Sequence, residues 1–183
     1  MNYRSLIQGF AGLALLCTLG GCASLSKNEC LSANWEDIGV RDGANGRPEE
    51  YLIQHSTACA KVNVAPDRGA WLHGHERGLE RFCVPQRAYQ IGEYGGGFDA
   101  GICRRFDLDR LQVAYEKGRE VHRLGNELGA IDSEMREINS TLERKDLENK
   151  ERERLAFRLG LLVGQRVEAQ RAYEDARYRA RDL

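Results

Sequence analysis

Cysteine and histidine are the residues of this sequence best able to do chemistry, and their spacing narrows what that chemistry is. Of six cysteines, Cys30, Cys59, Cys83 and Cys103 share one stretch with His55, His73 and His75, and no cysteine follows residue 103. One reading is a metal. His55 stands four residues before Cys59, and His73 and His75 bracket Gly74, so His55, Cys59, His73 and His75 form a candidate zinc set. Their spacing matches neither C-x-x-C nor H-x-x-x-H. The other reading is oxidation: four thiols make two disulfides, with three possible pairings. Closing neighbouring segments is the simplest arrangement and gives Cys30–Cys59 and Cys83–Cys103. For acid–base work the best-placed carboxylate is Glu76, near His73 and His75. The plainer reading of Glu76 is an exposed helix residue. Glu36-Asp37 and Glu49-Glu50 sit at or near helix starts, where the helix dipole favours acidic groups. No G-x-S-x-G occurs and the histidines have no evident serine partner, so a nucleophilic triad is not indicated. Gly95-Gly96-Gly97 lacks the preceding strand and the Lys-Ser/Thr of a phosphate loop. We expect no catalytic machinery and no cofactor.

The choice between zinc and disulfides turns on compartment, and the start of the chain speaks to that. Arg4 precedes an apolar stretch from Leu6 to Leu19, too short and glycine-rich for a good membrane span but suited to an export signal. It ends in Leu19-Gly20-Gly21-Cys22. A leucine three before a cysteine, then two small residues, resembles the lipobox of bacterial lipoproteins. The resemblance implies cleavage before Cys22 and acylation of that residue, and several acyl chains anchor stably where one does not. Ala23, and not Asp, follows the cysteine, which resembles outer-membrane sorting. We therefore expect residues 1–21 to be a signal and 22–29 a lipid-anchored linker. The mature chain would face the periplasm, where thiols are oxidised and disulfides are preferred over zinc.

Between residues 32 and 119 glycines punctuate the sequence with a loose period. Trp35 is followed by Gly39 and Gly43, Trp71 by Gly74 and Gly78, Tyr94 by Gly97 and Gly101, and Tyr115 by Gly118. On a helix this spacing puts ring and glycines on one face. Mid-helix glycine costs about 1 kcal/mol against alanine. Close helix–helix or ring–backbone contact is the usual offset, because a face without Cβ atoms lets another chain approach. Trp35, Trp71 and Tyr94 are read as internal packing or, alternatively, as part of a partner groove. The elements follow coarsely. Ser32 can cap a helix through about Asp42, and Gly43–Gly46 reads as a turn. Pro48 to Lys61 and Gly69 to Cys83 read as helices, the second ended by Pro85. Glu93–Gly97 is either a loop or another short helix start.

Residues 105–183 contain no proline and are dense in charges of both signs. Leu128, Ile131, Met135, Ile138 and Leu142 step by three and four, a coiled-coil seam. The register continues through Lys145, Asn149 and Arg152 to Ala156, Leu159 and Val163, polar in its middle. Either one long helix self-associates, or a hairpin turns near Asp146–Lys150 and packs Leu155, Leu159, Leu162 and Tyr173 on Leu128–Leu142. A lone helix would leave two apolar stripes in water, so the hairpin is preferred. The charges themselves read as a solvated face.

With 27 Lys plus Arg against 28 Asp plus Glu, the chain has a net charge of −1, which argues against nucleic-acid binding. Cys22, Trp35 with Gly39 and Asp42-Gly43, Cys59, Gly74 with Gly78-Leu79, Phe82-Cys83, Tyr94 with Cys103, Phe106, and Tyr115 with Gly118 together carry a resemblance. The chain is similar over about residues 30–120 to an uncharacterised bacterial lipoprotein family, a domain of unknown function. Tyr is commoner in that family where Trp71 and Phe82 stand here. The resemblance implies an address and brings no activity. The expected architecture is mainly α: a disulfide-stapled, glycine-rich helical domain over 30–104, then a helical hairpin or coiled coil over 105–183. The expected role is non-catalytic, structural or partner-binding, with cell-wall or small-ligand binding as the alternative and a periplasmic hydrolase less favoured.

Overall fold

The computed structural model describes residues 23–183. The expected export signal over residues 1–21, with Cys17, and the expected lipidation site Cys22 lie outside the described residues. Seven α-helices and no strand occur among the described residues. They are α1 (Lys27–Leu31), α2 (Trp35–Ala44), α3 (Leu52–Ala60), α4 (Arg68–Phe82), α5 (Pro85–Glu93), α6 (Leu108–Leu142) and α7 (Asn149–Arg179). Single 3-10 turns at Glu49–Tyr51 and Ala100–Cys103 join them. No described helix is long and apolar enough to cross a membrane.

Most helix starts are written locally. Ser26 and Glu29 form a reciprocal capping box on α1. Asn34 caps α2, its Oδ1 accepting from the Glu36 and Asp37 amides. The cap is therefore Asn34 and not Ser32, which instead ends the extra helix α1. Asp67 caps α4 and Asp107 caps α6 through side-chain oxygens. Pro85 starts α5 at its first turn, where a missing N–H costs nothing. The helix expected over Pro48–Lys61 is a 3-10 turn running into α3, and Glu93–Gly97 leaves the end of α5 as loop.

Packing joins the helices in pairs. The most extensive contacts are α2 on α4, then α5 on α6, then α6 on α7. The disulfides are Cys30–Cys59 and Cys83–Cys103, as segment closure predicts. The first ties α1 to α3 and the second joins the segments leading into α5 and α6. Residues 23–29 do not form a linker: Leu25 is 3% exposed and packs with Cys30, Trp35, Ile38, Cys59 and Trp71. Nor does a boundary fall at residue 104, because α6 is shared. Its first turns pack on α5, and its remainder packs on α7.

The tail is a hairpin turning over residues 143–148. Leu162 and Ile138 are buried, Tyr173 closes over Gly125, and Ala156 and Val163 are left exposed. The apolar register is thus Leu155, Leu162, Ala169 and Ala176, a different one from the straight continuation of the Leu128–Leu142 seam. Ion pairs Arg158–Glu134 (2.7 Å), Arg166–Asp132 (2.6 Å) and Arg179–Glu120 (3.1 Å) bridge the two helices. Arg152 donates to the carbonyls of Leu142 (2.6 Å) and Arg144 (3.0 Å) and fastens the turn. The Leu142 carbonyl ends α6, where the last carbonyls have no partner within the helix, and that of Arg144 lies in the turn.

Candidate functional site

The glycines do what their spacing promises, in two places. A Cβ on Gly39 would collide with the Trp71 carbonyl oxygen, and one on Gly43 with that of His75. A Cβ on Gly74 would meet the Glu36 carbonyl, and one on Gly78 that of Val40. Each glycine sits on the carbonyl three residues before its counterpart, so α2 and α4 run parallel with backbones in direct contact. Such contacts allow Cα–H···O=C attraction along the crossing. The same reciprocal rule holds once more: Gly92 sits on the Tyr115 carbonyl and Gly118 on that of Tyr89.

This corrects the third member of the sequence repeat. Tyr94 is 81% exposed, Gly97 faces open space, and Gly101 lies in the Ala100–Cys103 turn. The functional spacing there is Tyr89-x-x-Gly92, with Pro85 setting the start of the helix. Tyr89 had the same aromatic-to-glycine offset as Trp71 and Tyr115, and that signal was in the sequence. Burial and a hydrogen bond to Glu93 push the Tyr89 hydroxyl up to about 12.

The close approach of α2 and α4 brings a polar relay into the core. Asp42, in the last turn of α2, is 4% exposed. Its Oδ2 accepts the Trp71 Nε1–H from α4 at 2.9 Å and lies 2.7 Å from His55 Nε2 on α3. His55 is fully buried, and its Nδ1 lies 2.8 Å from Ser24 Oγ. Trp35 and Tyr51 flank the imidazole, with ring centroids 6.5 and 5.1 Å away. A buried carboxylate needs donors to replace water, and the indole and imidazole supply them. Among the described residues no buried side-chain nitrogen or oxygen is left without a partner. Trp71 also stacks on His75 at 4.6 Å, and His75 Nε2–H donates to the Arg47 carbonyl at 2.6 Å.

Ser24, His55 and Asp42 overturn the expectation that the histidines lack a serine partner. With Nε2 on the carboxylate, Nδ1 faces the Ser24 hydroxyl, the connectivity of a nucleophile beside a base. A general base must also hand its proton to a leaving group, and this imidazole is sealed beneath two aromatic rings. The five main grooves among the described residues are lined by other side chains. The relay holds the first described residues onto the domain.

The other chemical candidates separate. Cys59 is spent in its disulfide, His55 is bound to Asp42, His75 to Arg47, and exposed His73 pairs with Glu36 at 3.3 Å, so the zinc set does not assemble. Glu76 pairs with Arg105 at the surface, away from a buried His75, and so is no acid–base partner of it. A groove of about 800 Å³ runs between α5 and the end of α7 and mixes Glu93, Glu174 and Asp175 with Arg171, Arg177 and Arg181. Its opposite charges neutralise each other and select no ligand charge.

The matched family covers this core. Residues 34–120 match the model of a family described as a protein of unknown function, DUF2799. No curated protein and no solved structure matches the chain. The DUF2799 segment opens at Asn34, the cap of α2, and closes two residues beyond Gly118. It therefore contains both glycine crossings, Cys59, Cys83, Cys103, and the Asp42, His55 and Trp71 part of the relay. Ser24, Cys30 and α7 lie outside it.

Proposed function

We propose that this chain is a non-catalytic bacterial envelope lipoprotein, anchored in the outer membrane through Cys22 and facing the periplasm. Its role is structural or partner-binding, and its DUF2799 core is held close to the bilayer. The observation that carries the reading is the docking of Ser24 on His55 and of Leu25 in the core, immediately after the lipobox. Two residues span at most about 7 Å, so an acyl-bearing Cys22 would lie that close to Ser24 and leave no slack for a tether. Two disulfides in so short a core suit an oxidising compartment.

The test is the intact mass of the membrane-extracted protein, with and without reduction before alkylation. A lipidated chain beginning at Cys22, with four thiols alkylated only after reduction, is expected. An unmodified chain retaining its first 21 residues, or free thiols in the native sample, refutes the reading. Co-sedimentation with purified cell wall would favour the wall-binding alternative over a protein partner. A second reading, a periplasmic hydrolase, draws on the Ser24–His55–Asp42 relay. Labelling by a fluorophosphonate that disappears in Ser24→Ala would establish it in place of the non-catalytic role.

A further inference from the structure

We propose that a second copy of this chain docks on the outward face of α7, antiparallel and across a two-fold axis level with Leu162. Leu162 points into the hairpin, and the helical period puts Glu153, Phe157, Gly160, Gly164, Val167 and Arg171 in one stripe on the opposite side. All six are exposed; Phe157 is 71% exposed, and Leu161 and Val163 flank the stripe, also exposed. A Cβ on Gly160 or Gly164 would meet nothing within 4 Å. Mid-helix glycines weaken a helix, and elsewhere in this chain the offset is a second helix seated on the glycines. Phe157-x-x-Gly160-x-x-x-Gly164 has the spacing of Trp71-x-x-Gly74-x-x-x-Gly78, the face that receives α2. Here no helix of the described chain occupies it.

The occupant follows from the charges. Run antiparallel about the level of residue 162, the stripe is complementary to itself: Gly160 faces Gly164, Phe157 faces Val167, and Glu153 faces Arg171, each pair occurring twice. Neither Glu153 nor Arg171 is in an ion pair among the described residues, and Arg171 also borders the groove against α5. A parallel pairing would set Glu153 on Glu153 and Arg171 on Arg171. The interface closes on itself, as a two-fold contact must, and its charged ends are about 27 Å apart at 1.5 Å per residue. This surface differs from the Leu128–Leu142 seam, which the hairpin consumes.

The experiment is analytical ultracentrifugation of the full chain in a mild detergent. A dimer is expected. Gly160→Leu with Gly164→Leu should weaken association about tenfold or more, with helix content unchanged because both positions are open. Glu153→Arg and Arg171→Glu should each weaken it, and the two together should restore it, since the pair is swapped and not lost. A monomer at all concentrations overturns the proposal. So does a dimer indifferent to the glycine variants, or a double charge swap weaker than either single change, which means a parallel or different interface. Intact mass of the same sample reads the lipid anchor independently, so either result leaves the envelope reading where it stands.

Discussion

Replacing Gly39 by alanine sets two opposed effects against each other. Helix propensity alone predicts a gain of about 1 kcal/mol, because alanine restricts the unfolded chain and glycine does not. The crossing predicts a loss. The new Cβ would occupy the Trp71 carbonyl oxygen, and backbone cannot swing aside as a flexible side chain can. Helices α2 and α4 must separate along the whole crossing, loosening the contacts of Gly43, Gly74 and Gly78 and stretching the Trp71–Asp42 hydrogen bond. Overpacking of this kind costs about 1–3 kcal/mol, and loss of the buried hydrogen bond adds about 1–3 kcal/mol. After the propensity gain the net loss is about 3 kcal/mol, a fall in Tm of roughly 6–12 °C for a chain of this size. Gly129, on α6, faces open space and is the control. Gly129→Ala should raise Tm by about 2–4 °C through propensity alone. Thermal melts of both variants by circular dichroism decide the matter. If Gly39→Ala is as stable as Gly129→Ala, the backbone contact between α2 and α4 is refuted.

Three further outcomes follow from the same structure. Asp42→Ala strips a fully buried His55 and the Trp71 indole of their shared acceptor and should cost about 3–5 kcal/mol in chemical denaturation; a loss below 1 kcal/mol would contradict the relay. Removing either disulfide should cost about 3.5 kcal/mol from the loop lengths of 29 and 20 residues, read as a lower Tm after reduction. The Glu134 carboxyl is held below its ordinary value by its hydrogen bond to Arg158, and Asp146 likewise by Arg144. A depressed carboxyl contributes stability that is complete above its unfolded value and is lost as pH falls through the folded one. The hairpin should therefore weaken below about pH 4.5, and Glu134→Gln should flatten that acid limb.

The legibility of this chain divides along local and non-local lines. Disulfide pairing and the hairpin of α6 and α7 depend on segments near in sequence, whereas the cap of α2 fell to Asn34 and not to Ser32, two residues away. The glycine faces were legible as faces, since a missing Cβ in mid-helix demands some offset. Which glycines meet was not. Tyr94, Gly97 and Gly101 keep the spacing of Trp71, Gly74 and Gly78, yet they fall past the end of a helix that Pro85 starts too early to include them. Tyr89 and Gly92, with the same offset, fall inside it.

Spacing along the chain therefore determined the helical class, the staples and the kind of contact the helices make. Tertiary structure alone decided the partners: that Gly39 meets Gly74, and that Ser24 reaches His55. The physical reason is that a face announces only what it lacks. A glycine stripe accepts any backbone, and an imidazole any hydroxyl. Asp42, Trp71, His55 and Ser24 become one network only where α2 and α4 approach without Cβ atoms between them.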